Sequence, residues 1–273
     1  MESFNLQTAD GLALYGEYRS PETPRALVVV AHGIGEHCGR YTPLADALVA
    51  SGLAILTYDH RGHGRSEGQR AFIRSWDQYD NDLALAVAEA RRRSPSVPWF
   101  LLGHSLGGAI VLDYLVCDYA KPAGVIASAP ALGTPGISSA LLFLARIASR
   151  IAPRLSLDTG LDADNLSRDP VVVEAYRCDP LVHGKGTARL GTELTRAQKR
   201  IFDGLGSIDV PLLFIYGDSD KIAAREPIER ALAAAGSSDK RFETIRGGYH
   251  EPHWDLDREA VFELYAKWML ARV

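Results

Sequence analysis

The stretch WFLLGHSLGGAIVL, residues 99–112, joins an apolar run to a helical pattern through Gly103-His104-Ser105-Leu106-Gly107-Gly108. A polar serine ringed by small residues builds no core. It makes sense as a sharp strand-to-helix turn. Glycines at 103 and 107 leave room for a backbone folded tightly on itself, and the turn pushes the Ser105 hydroxyl out at the strand's end. The pattern Gly103-x-Ser105-x-Gly107 is only moderately specific by itself. Its place after an apolar strand and before a helix predicts a nucleophile elbow.

Outward from this turn, short β-branched runs alternate with helical patterns. Strands are predicted over 12–18, 26–31, 54–58, 99–102, 124–128, 212–216 and 241–245, with 4–8 as an eighth. Helices are predicted over 42–51, 77–93, 107–118 and 258–271. All-apolar central strands alternating with helices call for a mostly parallel sheet covered on both faces, with the first two strands as an antiparallel edge. The alternation breaks over 132–207, which is richer in Arg, Gly and Asp and shows no clear strand. It reads as a helical insertion over the carboxyl edge of the sheet, dividing a core of 1–131 and 208–273. Within it, 137–155 is amphipathic up to Pro153. Arg146, Arg150 and Arg154 form one stripe, and Leu141, Leu144, Ala148 and Ile151 line the other side. Such a helix packs on the domain below it or meets lipid.

Composition narrows the class. The chain has 273 residues, 47% hydrophobic, with a formal net charge of −4, so nothing draws it towards nucleic acid or anionic membranes as a whole. The run Arg91-Arg92-Arg93 offsets a helix dipole. Three scattered cysteines, Cys38, Cys117 and Cys178, suggest neither a disulfide framework nor a zinc site and read as packing residues in a reducing compartment. The opening residues lack the pattern of a signal peptide, and no segment reads as membrane-spanning. The expectation is a cytoplasmic protein, with peripheral membrane contact through the insertion as a further option.

A serine nucleophile needs a base, and the base needs an acid to orient it. On a sheet of this kind the chain order is Ser, acid, His. PLLFIYGDSDKI (211–222) offers Asp218 and Asp220 just past a strand, and IRGGYHEPHWD (245–255) offers His250 and His253. Asp220 lies deeper in its turn. His250 follows the strand-end glycines directly, so its loop can reach back to the elbow. His250/His253 and His60/His63 are i, i+3 pairs, which do not match the helical zinc pattern H-E-x-x-H, and His60 and His63 read as structural. An oxyanion needs two backbone N–H donors. Leu106, next after the nucleophile, supplies one, and Ile34 in VVVAHGIGEH (28–37) is the best second.

With these segments placed, the sequence resembles the monoacylglycerol lipase family of α/β-hydrolases, which overlaps with lysophospholipases. The matching stretches are HGIGEHCGRY (32–41), YDHRGHGRSEG (58–68), GHSLGG (103–108), LSRDPVVVEAYRCDPLVHG (166–184), YGDSDKI (216–222) and GGYHEPHWD (247–255). The resemblance implies an α/β-hydrolase fold with an eight-stranded sheet and a helical cap. Its pattern also favours Asp220 as the acid. It further implies an apolar acyl channel and a polar glycerol pocket that Glu36, Arg40, His104 and Tyr176 line or support. The expected activity is hydrolysis of monoacylglycerols through an acyl-enzyme, by the triad Ser105–Asp220–His250. No metal or organic cofactor and no nucleic-acid partner is expected. The alternative is a lysophospholipase, short-chain esterase or thioesterase with the same triad.

Overall fold

The computed structural model describes residues 1–133 and 139–273. Eight strands form one sheet: β1 (Glu2–Gln7), β2 (Ala13–Arg19), β3 (Ala26–Ala31), β4 (Leu53–Tyr58), β5 (Trp99–His104), β6 (Gly124–Ser128), β9 (Leu212–Gly217) and β10 (Lys240–Ile245). Their order is β1-β2-β4-β3-β5-β6-β9-β10. β1 and β2 pair antiparallel, β2 meets β4 antiparallel, and the remaining neighbours are parallel. This is the sheet of an α/β-hydrolase, with the antiparallel edge the sequence predicts.

Every residue of β3 through β6 and of β9 is buried, because helices cover both faces. Side chains alternate between them. Leu27, Val29 and Ala31 join the core beneath α2 (Asp77–Arg93) and α3 (Leu106–Val116). Ala26, Val28 and Val30 join the core beneath α1 (Thr42–Ala50) and α8 (Arg258–Leu270). The helix α7 (Arg225–Ala234) is not predicted from the sequence; its short polar pattern has only Ile228, Ala231 and Leu232 buried.

Between β6 and β9 the described chain contributes nothing to the large sheet. It forms α4 (Ser139–Ile151), α5 (Pro170–Cys178) and α6 (Ala188–Gly204). It also forms a two-stranded ladder that the sequence reading missed, β7 (Ser156–Asp158) against β8 (Lys185–Thr187). Three residues a side are too few to show a period of two. Ile137 and the side chain of Leu141, read from the sequence as part of an amphipathic helix, lie outside the described residues. In α4 it is Ser149 that is buried, and of the predicted apolar side Ala148 is half-buried while Leu144 and Ile151 are 58% and 79% exposed, so those two are not covered by the domain below. Cys178 corrects a second expectation: it is exposed rather than packed, its thiol 3.1 Å from Glu174 Oε1.

Helix α6 is held to the core by a buried acidic cluster. Arg200 pairs with Asp77, Asp80 and Asp113, the last two 1% and 0% exposed. Burial and the neighbouring Asp113 carboxylate push the Asp80 carboxyl well above its usual range. A raised folded-state pKa favours the fold below the unfolded value and weakens it as pH rises through the folded one. Asp80→Asn is therefore expected to raise the melting temperature by about 2–4 °C at pH 8, with the gain shrinking towards pH 4. Thermal melts across that range check it.

Candidate active site

Ser105 sits at φ 51°, ψ −112°, a conformation costly for a residue with a side chain. The surroundings over-determine it. Its N–H donates to the Ser128 carbonyl at 2.9 Å, and its own carbonyl accepts from Ala109 and Ala131 at 3.1 and 2.9 Å. The glycines allow the close approach this needs. A Cβ on Gly107 would lie 1.9 Å from the Ala31 carbonyl oxygen, and one on Gly103 2.3 Å from that of Gly107. The hydroxyl is thus held at the carboxyl end of β5 and the positive end of α3, where a developing anion is favoured.

The loops after β9 and β10 converge on it. His250 Nδ1 lies 2.8 Å from Asp220 Oδ2, with the two side chains 3% and 0% exposed. The second oxygen, Asp220 Oδ1, accepts from the N–H groups of Ile222 and Ala223 at 2.7 and 3.0 Å, which fixes the carboxylate's plane. The competing residues are elsewhere engaged. Asp218 is exposed and accepts from the Gly247 N–H at 2.6 Å. His253 is buried, stacked on Tyr41 with ring centroids 5.0 Å apart.

Among the described residues, Ser105 and His250 are walls of two small cavities. One is also lined by Ile34, Glu36, His104, Tyr176, Leu161 and Leu166, a mixture of polar side chains with two leucines from the insertion. The other is lined by Ala131, Leu132, Gly133 and Ile222 to Ala224, and is the more apolar of the two. Among the described residues the N–H groups of Ile34 and Leu106 have no protein acceptor.

Of the four residues that the resemblance assigned to a glycerol pocket, Glu36, His104 and Tyr176 line the first cavity. Arg40 stands behind it, bordering a neighbouring cavity at the edge of the insertion. Its guanidinium binds Glu251 through both nitrogens at 2.8 and 2.7 Å and Glu36 at 2.7 Å. Glu36 in turn accepts from the Tyr41 hydroxyl at 2.9 Å and the Gly33 N–H at 2.5 Å. Burial pushes the Glu36 carboxyl up, while Arg40 pulls Glu251 down. Burial also holds His104 neutral, its pKa well below the usual imidazole range. Glu36, His104 and Glu251 each offer an atom within 4.8 Å of the others, but the two carboxylates already share the Arg40 charge. Sequence reasoning missed Glu251, whose only signal is its place directly after His250. It also missed Leu161, Leu166 and the run from Ile222 to Ala224, whose spacing carries no signal of their meeting at Ser105.

An elbow serine, a buried His–Asp pair and two open backbone donors on this sheet define a serine hydrolase of the α/β-hydrolase class. The chain belongs to the family described as serine aminopeptidase, S33, whose model matches residues 22–257. It is 33% identical to the monoacylglycerol lipase of Mycolicibacterium smegmatis, over 96% of this chain and 95% of that protein. It is also 33% identical to the monoglyceride lipase of Homo sapiens, over 98% and 90% of the respective chains. The crystal structure of Paleococcus ferrophilus monoacylglycerol lipase superposes with a TM-score of 0.85 at 33% identity, covering 95% of this chain and 99% of that one.

Proposed function

We propose that this protein hydrolyses monoacylglycerols to glycerol and a fatty acid through an acyl-enzyme on Ser105. The observation that carries this reading is the position of Ser105 and His250 between a cavity of mixed lining, with Glu36, His104 and Tyr176 in its wall, and a more apolar one. An ester straddling Ser105 would set its alcohol beside Glu36, His104 and Tyr176 and its acyl chain against Leu132 and Ile222. The chain's similarity to monoacylglycerol lipases supports the same substrate.

In this mechanism His250 takes the Ser105 proton as the oxygen attacks the ester carbonyl. Asp220 holds the Nδ1–H tautomer and stabilises the imidazolium. The N–H groups of Ile34 and Leu106 receive the oxyanion. His250 then gives its proton to the departing glycerol oxygen. Water repeats the cycle and frees the acid, and the protons balance at each step on His250 alone. Residues 132–207 act as a cap, with Leu161 and Leu166 closing over the site. Steady-state kinetics on monoacylglycerols of increasing chain length, beside lysophospholipids, acyl-CoA and p-nitrophenyl esters, test the reading. Higher kcat/KM on any of the latter than on every monoacylglycerol would replace it.

We further propose that the cap touches lipid surfaces. Among the described residues no helix is long and apolar enough to cross a membrane. Phe143, Leu144 and Ile151 are 60%, 58% and 79% exposed, beside the exposed Arg146, Arg150 and Arg154. Such a face suits the interface of an anionic bilayer. Flotation with anionic liposomes is expected to fall on Phe143→Ser with Ile151→Ser, and on Arg146→Glu with Arg150→Glu. Unchanged flotation in both would refute the contact.

A further inference from the structure

The loop after β3 carries two consecutive peptide units, His32–Gly33 and Gly33–Ile34. Buried side chains engage three of their four polar groups. The His32 carbonyl accepts from His60 Nε2 at 3.0 Å. The Gly33 N–H donates to Glu36 Oε1 at 2.5 Å. The Gly33 carbonyl accepts from His32 Nδ1 at 2.7 Å. The fourth group, the Ile34 N–H, faces no protein acceptor among the described residues, and Ile34 borders the Ser105 cavity.

The tautomer of His32 follows from its other nitrogen. The backbone N–H of His60 donates to His32 Nε2 at 3.0 Å, so that nitrogen is the acceptor and the ring's proton sits on Nδ1. The ring is 1% exposed, and burial with the nearby rings of His60 and His63 keeps it neutral. In a trans peptide the C=O and N–H point in opposite directions from one rigid plane. Holding the Gly33 carbonyl therefore aims the Ile34 N–H. Glycine at 33 is needed, since a Cβ there would meet Glu36 Oε1 at 2.9 Å and His104 Cδ2 at 3.2 Å. Its freedom leaves the plane in want of an outside clamp.

We propose that His32, its tautomer fixed by the backbone of His60, is a positioning residue that locks the Gly33–Ile34 peptide so that the Ile34 N–H serves the oxyanion. The inference rests on the serine-hydrolase reading. A turned plane would present a carbonyl oxygen where negative charge develops and would strand the buried Nδ1–H.

Ester hydrolysis by the wild type that is lost in Ser105→Ala tests the hydrolase reading separately. Given that activity, His32→Leu is expected to lower kcat about 10²–10³-fold with KM little changed, the cost of losing one oxyanion donor. Affinity for a trifluoromethyl ketone, whose hemiketal carries the oxyanion, falls by the same factor. The acid limb of the pH–rate profile stays in place, because the His250–Asp220 pair is untouched. His32→Asn, with an amide donor near the place of Nδ1, recovers at least about tenfold of the loss. A folded His32→Leu enzyme with kcat near wild type, or with kcat lowered and ketone affinity kept, overturns the proposal. If the variants do not fold, ¹⁵N NMR of the wild-type histidines decides. The Nδ1–H form of His32 supports the clamp, and the Nε2–H form overturns it.

Discussion

With alanine at position 105, kcat for ester hydrolysis is expected to fall on the order of 10⁴-fold or more, and labelling with a fluorophosphonate to be lost. The expected loss is large because the proposed triad would act as a unit, with Ser105 as the hydroxyl that the elbow presents. Asp220→Asn is expected to cost about 10⁴-fold, the scale known for the corresponding change in serine proteases, because an amide favours the wrong imidazole tautomer. Thermal stability should change little in either. Asp218→Asn is the control: its carboxylate is exposed and serves a backbone N–H at Gly247, so kcat stays within about threefold of wild type. Substantial turnover by the Ser105→Ala enzyme, or an Asp218 effect exceeding that of Asp220, would refute the assignment.

Arg40→Met is expected to have the largest effect on stability. Arg40 is 8% exposed and pairs with Glu36 and Glu251, each 2% exposed. Removing it leaves two carboxylates facing each other out of water. Breaking a buried pair costs about 3–5 kcal/mol, or roughly 6–20 °C in melting temperature for a chain of this size. Without the guanidinium both carboxyls are pushed up in the fold. Stability is then retained below their ordinary range and lost as pH rises through the raised one, so the deficit is greater at pH 8 than at pH 5. Adding Glu36→Gln and Glu251→Gln should recover part of it. Urea melts at both pH values decide, and a loss under about 1 kcal/mol at pH 8 would show the network to be dispensable. Activity falls too, since this network joins the Gly33 loop to the residue after His250.

Much of this was legible in the chain. The apolar runs of β3, β5, β6 and β9 could be read because buried parallel strands need side chains that suit both faces, a demand made of consecutive residues. The elbow was readable for the same reason: Gly103, Ser105 and Gly107 meet a local steric requirement. Distinguishing Asp220 from Asp218, or His250 from His253, turns on which side chain faces inwards. Depth in the turn favoured Asp220, and a place directly after the strand-end glycines favoured His250; these are the two side chains that the structure brings within 2.8 Å of each other. Arg40 was harder. Its neighbour Glu36 is four residues away, but Glu251 is 211 positions distant, and that pair draws the guanidinium behind the cavity.

The sequence alone determined the strands of the large sheet, the helices α1, α2, α3 and α8 that alternate with them, and the serine's turn, since each depends on interactions between residues close along the chain. Only the tertiary structure decided which carboxylates share Arg40, which imidazole meets Asp220 and which leucines of the insertion line the cavity at Ser105. It also decided that Leu144 and Ile151 remain in solvent. These outcomes depend on burial and on distances between remote segments, which no local pattern encodes.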